Sequence, residues 1–369
     1  TSTRAMSELE PEPVRVTRVN SVVHVTIDRP RALNALNRDA VERLHELFQR
    51  AERDDAAACY LLRGHGSRAF CAGGDVRAVR EMVVRGDVDG AIAFFDREFA
   101  LNAALHALRK PSACVWNGVV MGGGAGLSCY CPVRVATDAT VFAMPECAIG
   151  LYPDVGAGWF LNALCGHAYA TCLSLTGARV RGIDCKRIGL ATHYVTMEVW
   201  DRETEKRVNA LERGASVEDL ARAAASGERD EPAATSYLTS ERGRAMIDEV
   251  FGNDAMSLDD ITREIARKED AAESEAERAF FAECRESVAK ASPTSLGVSL
   301  ELMRRSRGKS LEWVLAMDNA LIVKFIHAPD FRRGVEAVLI DKVGAPPPGG
   351  WMPAVDATSY FAAASDSKL

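Results

Sequence analysis

Along the first third of the chain the spacing of apolar positions changes repeatedly. Val23, Val25 and Ile27 alternate with His24, Thr26 and Asp28, a period of two that predicts a strand over Val22 to Asp28. Val14 to Val19 lies across a turn near Asn20 and Ser21, so the pair predicts a hairpin. After Asn37 the period lengthens. Val41, Leu44, Leu47 and Phe48 share one helical face, with Asn37 placed to cap a helix that runs to about Asp54. Tyr60-Leu61-Leu62-Arg63 predicts the next strand, and a long helical stretch follows from about Val76 to Leu108, ended by Pro111. Ala113-Cys114-Val115-Trp116 then predicts a buried strand that runs into a glycine-rich loop. A short helix is expected from Gly126 to Tyr130, then short strands at Val133-Arg134-Val135-Ala136 and Thr140-Val141-Phe142. This order predicts an α/β fold built as a spiral of strand-strand-helix units.

From about Glu198 to Arg242 large apolar residues become scarce and Ala, Arg, Glu and Ser dominate, which predicts solvated helices or a connector. Beyond it, helical patterns at Leu258 to Ala271, Glu275 to Ala291, Ser295 to Arg305 and Leu311 to Ile326 make the last third mostly α. The expected organisation is a loose arm over 1–12, a spiral core over 13–200, a charged helical connector over 201–245, a helical region over 246–345 and an irregular tail over 346–369. No internal repeat suggests a solenoid.

Composition narrows the functional classes. With 369 residues, 47% hydrophobic and 26% charged, the chain can build a substantial core. A formal net charge of -7 gives it no global attraction for nucleic acid or an anionic membrane, and no direct nucleic-acid binding is expected. No apolar run reaches the roughly 18 residues of a membrane span. The ten cysteines include no CxxC pair and mostly sit in apolar runs, which reads as small buried hydrophobes in a reducing compartment. The seven histidines show no ligand spacing, so no metal site is expected. The chain starts at Thr1 without an initiator Met, compatible with a removed import signal and a mitochondrial matrix address.

Three segments carry candidate chemistry. Phe142-Ala143-Met144-Pro145-Glu146-Cys147-Ala148-Ile149-Gly150-Leu151-Tyr152-Pro153-Asp154-Val155-Gly156 sets Glu146 and Asp154 among small and apolar residues, with two prolines and two glycines fixing the backbone. Ala69-Phe70-Cys71-Ala72-Gly73-Gly74-Asp75 and Asn117-Gly118-Val119-Val120-Met121-Gly122-Gly123-Gly124-Ala125-Gly126-Leu127 nearly lack functional side chains, so their backbone amides are the available donors. Two amide loops and a carboxylate pair point to acyl chemistry. Cys71 beside the glycines has no suitably placed histidine and reads as a packing residue.

These residues resemble the crotonase superfamily of coenzyme A thioester enzymes, and within it the 3-hydroxyisobutyryl-CoA hydrolase branch. The likeness rests on Arg29-Pro30-Arg31-Ala32-Leu33-Asn34-Ala35-Leu36, Phe70 to Asp75, Phe94-Phe95 with Glu98, Leu101-Asn102, Met121 to Gly124, Met144 to Gly156, and Leu175-Thr176-Gly177. It continues through Ser292 to Leu296 and Ala337 to Lys342, covers roughly 14–353, and is weakest over 198–242. The resemblance implies that the amides of Gly74 and Gly123 form an oxyanion hole. It implies that Glu146 acts as general base on water or as nucleophile forming a mixed anhydride, and sequence leaves both open. It gives Asp154 the substrate hydroxyl or assistance to water, and makes Glu98 a further substrate-contacting acid. Hydratases of the superfamily usually carry a glutamate where this chain has Gly126, so poor hydratase activity is implied. The expected reaction is hydrolysis of 3-hydroxyisobutyryl-CoA in valine breakdown. No cofactor is expected, CoA being part of the substrate. Another crotonase-type hydrolase, hydratase or isomerase is the enzymatic alternative. A different class of reading is a hydrolase-like structural component of a mitochondrial ribosomal small subunit.

Overall fold

The computed structural model describes residues 12–229 and 236–362; the arm expected over 1–12 lies almost wholly outside them. The strands, in chain order, are β1 (Val14–Val19), β2 (Val22–Ile27), β3 (Cys59–Gly64), β4 (Ala69–Cys71), β5 (Ser112–Trp116), β6 (Val119–Met121), β7 (Val133–Ala136), β8 (Val141–Ala143), β9 (Val180–Arg181) and β10 (His193–Tyr194). They form a six-stranded sheet in the order β1-β2-β3-β5-β7-β10 and a four-stranded sheet in the order β4-β6-β8-β9. Consecutive strands β3 and β4, β5 and β6, β7 and β8 therefore alternate between the sheets, so each turn of the spiral adds one strand to each. β1 pairs antiparallel with β2 in the expected hairpin, which Asn20 turns at φ 53°. β9 is antiparallel to β8, and the remaining ladders are parallel.

The parallel strands β2, β3, β5 and β7 at the centre of the larger sheet are buried on both faces. Successive side chains along a strand point to opposite faces. Val23, Val25 and Ile27 of β2, Tyr60 and Leu62 of β3, and Cys114 and Trp116 of β5 enter the main core with Phe70 and Phe142. Val22, Cys59, Leu61, Ala113 and Val115 face a second cluster with Trp200, Val208, Leu220 and Ala224. This corrects the reading of 198–242 as solvated: Trp200–Thr204, Glu205–Asn209 and Val217–Ala225 are helical and lay a narrow apolar stripe on the outer sheet face. Trp200 is fully buried.

Two helix expectations also change. The stretch from 76 to 108 is two helices, Val76–Val84 and Val88–Ala107. Gly86 turns the chain at φ 85°, and the Asp87 side chain caps the second helix by accepting from the Gly90 amide at 3.0 Å. The short helix expected at Gly126 begins earlier, as Gly123–Ser128, so the glycine run is itself the helix N-terminus. Asn37 caps Arg38–Ala51 as expected, accepting from the Ala40 amide. The C-terminal third contains helices Leu258–Asp270, Glu275–Lys290, Pro293–Arg305 and Leu311–His327, joined by Glu241–Phe251 and Pro329–Val335.

Candidate active site

Gly74 follows β4 and is fixed from the side by the segment before the first long helix. Leu36 donates to Gly73 O at 2.8 Å and accepts from the Asp75 amide at 2.9 Å, while the Asn34 side chain donates to Ala69 O at 2.8 Å. Gly73 sits at φ 110°, a conformation open to glycine. Arg29 meets Asp75 at 3.1 Å, so it braces this loop. Opposite lies the Gly123–Ser128 helix, whose N-cap Gly122 has no side chain; the Gly123 amide is one of the helix's first N–H groups and has no intrahelical acceptor. A Cβ built on Gly123 would lie 3.0 Å from the Gly74 nitrogen, so the two amides border one small space.

Two acidic side chains close that space, and a third, buried nearby in the chain, acts on both through its charge. Glu98, on Val88–Ala107, is 1% exposed, and its Oε1 lies against Gly123 where a side chain would overlap it; its Oε2 would be 3.4 Å from a Cβ on Gly74. Glu146 opens a 3-10 turn, Glu146–Ile149, directly after β8. Its Oε1 would be 2.7 Å from a Cβ on Gly122. The turn is held from behind: the Ser292 amide donates to Cys147 O at 3.0 Å, and Gly150 and Gly334 let it pack against the Pro329–Val335 helix with no room for a side chain. Asp154 is buried in the loop between this turn and the Ala157–Cys165 helix. Thus Gly74, Gly123, Glu98 and Glu146, tens of residues apart in sequence, converge, and the charge of Asp154 bears on both glutamates.

Burial pushes Glu98 and Glu146 well above the usual carboxylate range, with Asp154 adding repulsion to both. Asp154 itself is pushed up to about 7 by burial. Glu98 Oε1 and Glu146 Oε2 are buried with no hydrogen-bond partner in the protein. Buried polar atoms are normally paired, and carboxyls with displaced pKa values mark functional sites. A cavity of about 370 Å³ lies beside the turn, lined by Pro145, Cys147, Thr176, Cys284 and Lys290 among others, and its lining includes none of the three acids or two glycines. Cys71 is fully buried with its thiol pushed up to about 12, the state of an inert packing residue. Among the described residues no cluster of His, Cys, Asp and Glu could hold a metal ion.

One acid escaped the sequence reading. Asp318, in the middle of Leu311–His327, is fully buried, and its Oδ2 accepts from the Gly156 amide at 2.8 Å. Its signal was a carboxylate on the apolar stripe formed by Leu311, Leu315, Ile322 and Phe325.

Two sheets fed alternately by a spiralling chain, with a mostly helical C-terminal part, make this a crotonase-type fold. The enoyl-CoA hydratase/isomerase family model matches residues 22–358. The chain is 36% identical over 324 residues to mitochondrial 3-hydroxyisobutyryl-CoA hydrolase of Danio rerio, covering 87% of this chain and 81% of that protein. It is 33% identical over 378 residues to small ribosomal subunit protein mS47 of Neurospora crassa, covering 96% of this chain and 72% of that protein. A solved carnitinyl-CoA dehydratase from Mycobacterium thermoresistibile matches with a TM-score of 0.81 and 32% identity, covering 95% of this chain and 97% of that one. The chain belongs to the enoyl-CoA hydratase/isomerase (crotonase) superfamily, in its 3-hydroxyisobutyryl-CoA hydrolase branch.

Proposed function

We propose that this enzyme hydrolyses 3-hydroxyisobutyryl-CoA to 3-hydroxyisobutyrate and CoA in the mitochondrial matrix, as a step of valine breakdown, and needs no cofactor. The observation that carries this reading is the meeting of the Gly74 and Gly123 amides with the unpartnered Glu146 carboxyl. Attack on a thioester places negative charge on the carbonyl oxygen; the two N–H groups donate to it, each worth roughly 3 kcal/mol of barrier in comparable sites. The helix dipole behind Gly123 adds to the effect. Glu146, as general base, takes a proton from water as the new C–O bond forms; the C–S bond then breaks and the thiolate of CoA recovers the proton. As nucleophile, the Glu146 carboxylate forms the C–O bond and the C–S bond breaks as CoA leaves as thiolate; water then cleaves the resulting anhydride, giving the free acid and the regenerated Glu146 carboxylate, and its proton goes to the CoA thiolate. Asp154 accepts the substrate's 3-hydroxyl, and Glu98 flanks the acyl group.

Support for hydrolysis over hydration comes from Gly126, which offers no second carboxylate, and from the likeness to the fish hydrolase. The test is release of CoA thiol from 3-hydroxyisobutyryl-CoA, isobutyryl-CoA and crotonyl-CoA. Release confined largely to the hydroxylated ester, with no hydration of crotonyl-CoA, supports the reading, and hydration without release refutes it. The likeness to mS47 supports a second reading, a structural place in a mitochondrial small ribosomal subunit, for which the expected sign is comigration with ribosomal particles on a gradient.

A further inference from the structure

Asp154 is followed by two residues in the left-handed region, Val155 at φ 53° and Gly156 at φ 77°. For a β-branched residue this conformation is strained and persists only where its surroundings impose it. Two bonds impose it here. Tyr130 OH donates to Val155 O at 2.6 Å, and the Gly156 amide donates to Asp318 Oδ2 at 2.8 Å. Asp318 is held in turn, because Tyr152 OH, from the same loop, donates to its main-chain oxygen at 2.9 Å. Asp318 Oδ1 has no protein partner, although the residue is 0% exposed within an apolar helix. Burying a carboxyl there is costly, and an apolar residue would serve helix packing better. The hydrogen bond to Gly156 is what the carboxyl supplies and an apolar side chain would not.

We propose that Asp318 is a positioning residue for the hydroxyl-binding end of the acyl site: by holding the Gly156 amide it keeps the left-handed Val155-Gly156 turn wound and so aims Asp154. The inference rests on the hydroxyl-binding role proposed for Asp154. It predicts that Asp318 governs discrimination between hydroxylated and plain acyl groups without itself touching substrate. A site that hydrogen-bonds a hydroxyl rejects analogues lacking it strongly, so this ratio is a sensitive readout.

The experiment compares kcat/KM for 3-hydroxyisobutyryl-CoA and isobutyryl-CoA in the full chain. Asp318→Asn keeps an acceptor oxygen of the same shape and should retain the wild-type preference within about threefold, whereas Asp318→Leu should lose about tenfold or more of it, chiefly through KM of the hydroxylated ester. Should Asp318→Leu fail to fold, Asp318→Glu, which displaces the carboxylate by one methylene, reads the same loss. A folded Asp318→Leu or Asp318→Glu with unchanged preference overturns the proposal, and so does an Asp318→Asn as impaired as Asp318→Leu. A wild-type chain without any preference for the hydroxylated ester overturns the role of Asp154 as well.

Discussion

Val155 occupies the space that a side chain at Gly126 would need: a Cβ on Gly126 would lie 2.6 Å from Val155 Cβ and 3.2 Å from Asn102 Nδ2. The position where hydratase relatives usually hold a second carboxylate is therefore closed by the turn that carries Asp154. An acid placed at Gly126 would have to displace Val155 before it could reach the site. Asn102 donates to Gly126 O at 3.0 Å, which fixes the helix in this contact.

Gly126→Ala should accordingly destabilise the protein by about 1–3 kcal/mol, the usual cost of overpacking. Val155→Gly removes both opposing atoms, Cβ and Cγ2, and suits the φ of 53° at that position, so the double variant should recover part of that loss. Denaturant unfolding of the four proteins in a double-mutant cycle checks the coupling.

Trp200→Ala should cost about 3–5 kcal/mol, because it empties a fully buried position on the outer sheet face. Since that layer is built on the sheet face opposite the main core, kcat under native conditions should stay within about twofold, with the loss confined to stability. Urea titration and CoA release, measured on the same preparation, separate the two.

That outer layer also shows where sequence stops being legible. Its apolar stripe is made of Trp200, Val208, Leu220 and Ala224 among many Arg, Glu and Ala residues, so composition resembles a solvated face. The hairpin, the strand Ser112–Trp116 and the glycine loops were readable because their period or side-chain scarcity is local. Glu146 and Asp154 were readable for the same reason, standing as acids in a small-residue segment. Asp318 acts on a turn more than 160 residues earlier, and no local period reports such a pairing. Apolar spacing continues across Gly86-Asp87 and hides the break there, although a left-handed glycine followed by a capping aspartate is a local stop and start signal.

The pH dependence of stability has a defined sign. Burial raises Asp154 from 3.8 to about 7, so between those values the folded state keeps a proton that the unfolded chain releases. The stability tied to this group is full below its unfolded value and is lost as pH rises through about 7. Asp154→Asn removes that loss. The variant should melt higher than wild type near pH 8, by up to on the order of 4 kcal/mol in stability, and match it near pH 4. Thermal melts at the two pH values check this, and activity should fall while stability rises.

Nine of the ten cysteines are buried and Cys165 is partly so. Burial pushes the thiols of Cys59, Cys71, Cys129 and Cys147 up to about 12. The folded protein should react slowly with an aromatic disulfide reagent, at Cys165 if anywhere, and denaturant should release ten thiols. Rapid inactivation by alkylation at Cys71 would assign that residue a part in the chemistry that the geometry denies it.

The most direct test of the account is hydrolysis of 3-hydroxyisobutyryl-CoA by Glu146→Gln, which keeps the side chain's shape and removes its capacity to act as base or nucleophile. The account predicts a fall in kcat of about a hundredfold or more, with CoA binding preserved and a cooperative melting transition no lower than that of the wild type. A folded Glu146→Gln that releases CoA at the wild-type rate would contradict the central claim, since the convergence of Gly74, Gly123 and Glu146 would then not be the seat of the chemistry.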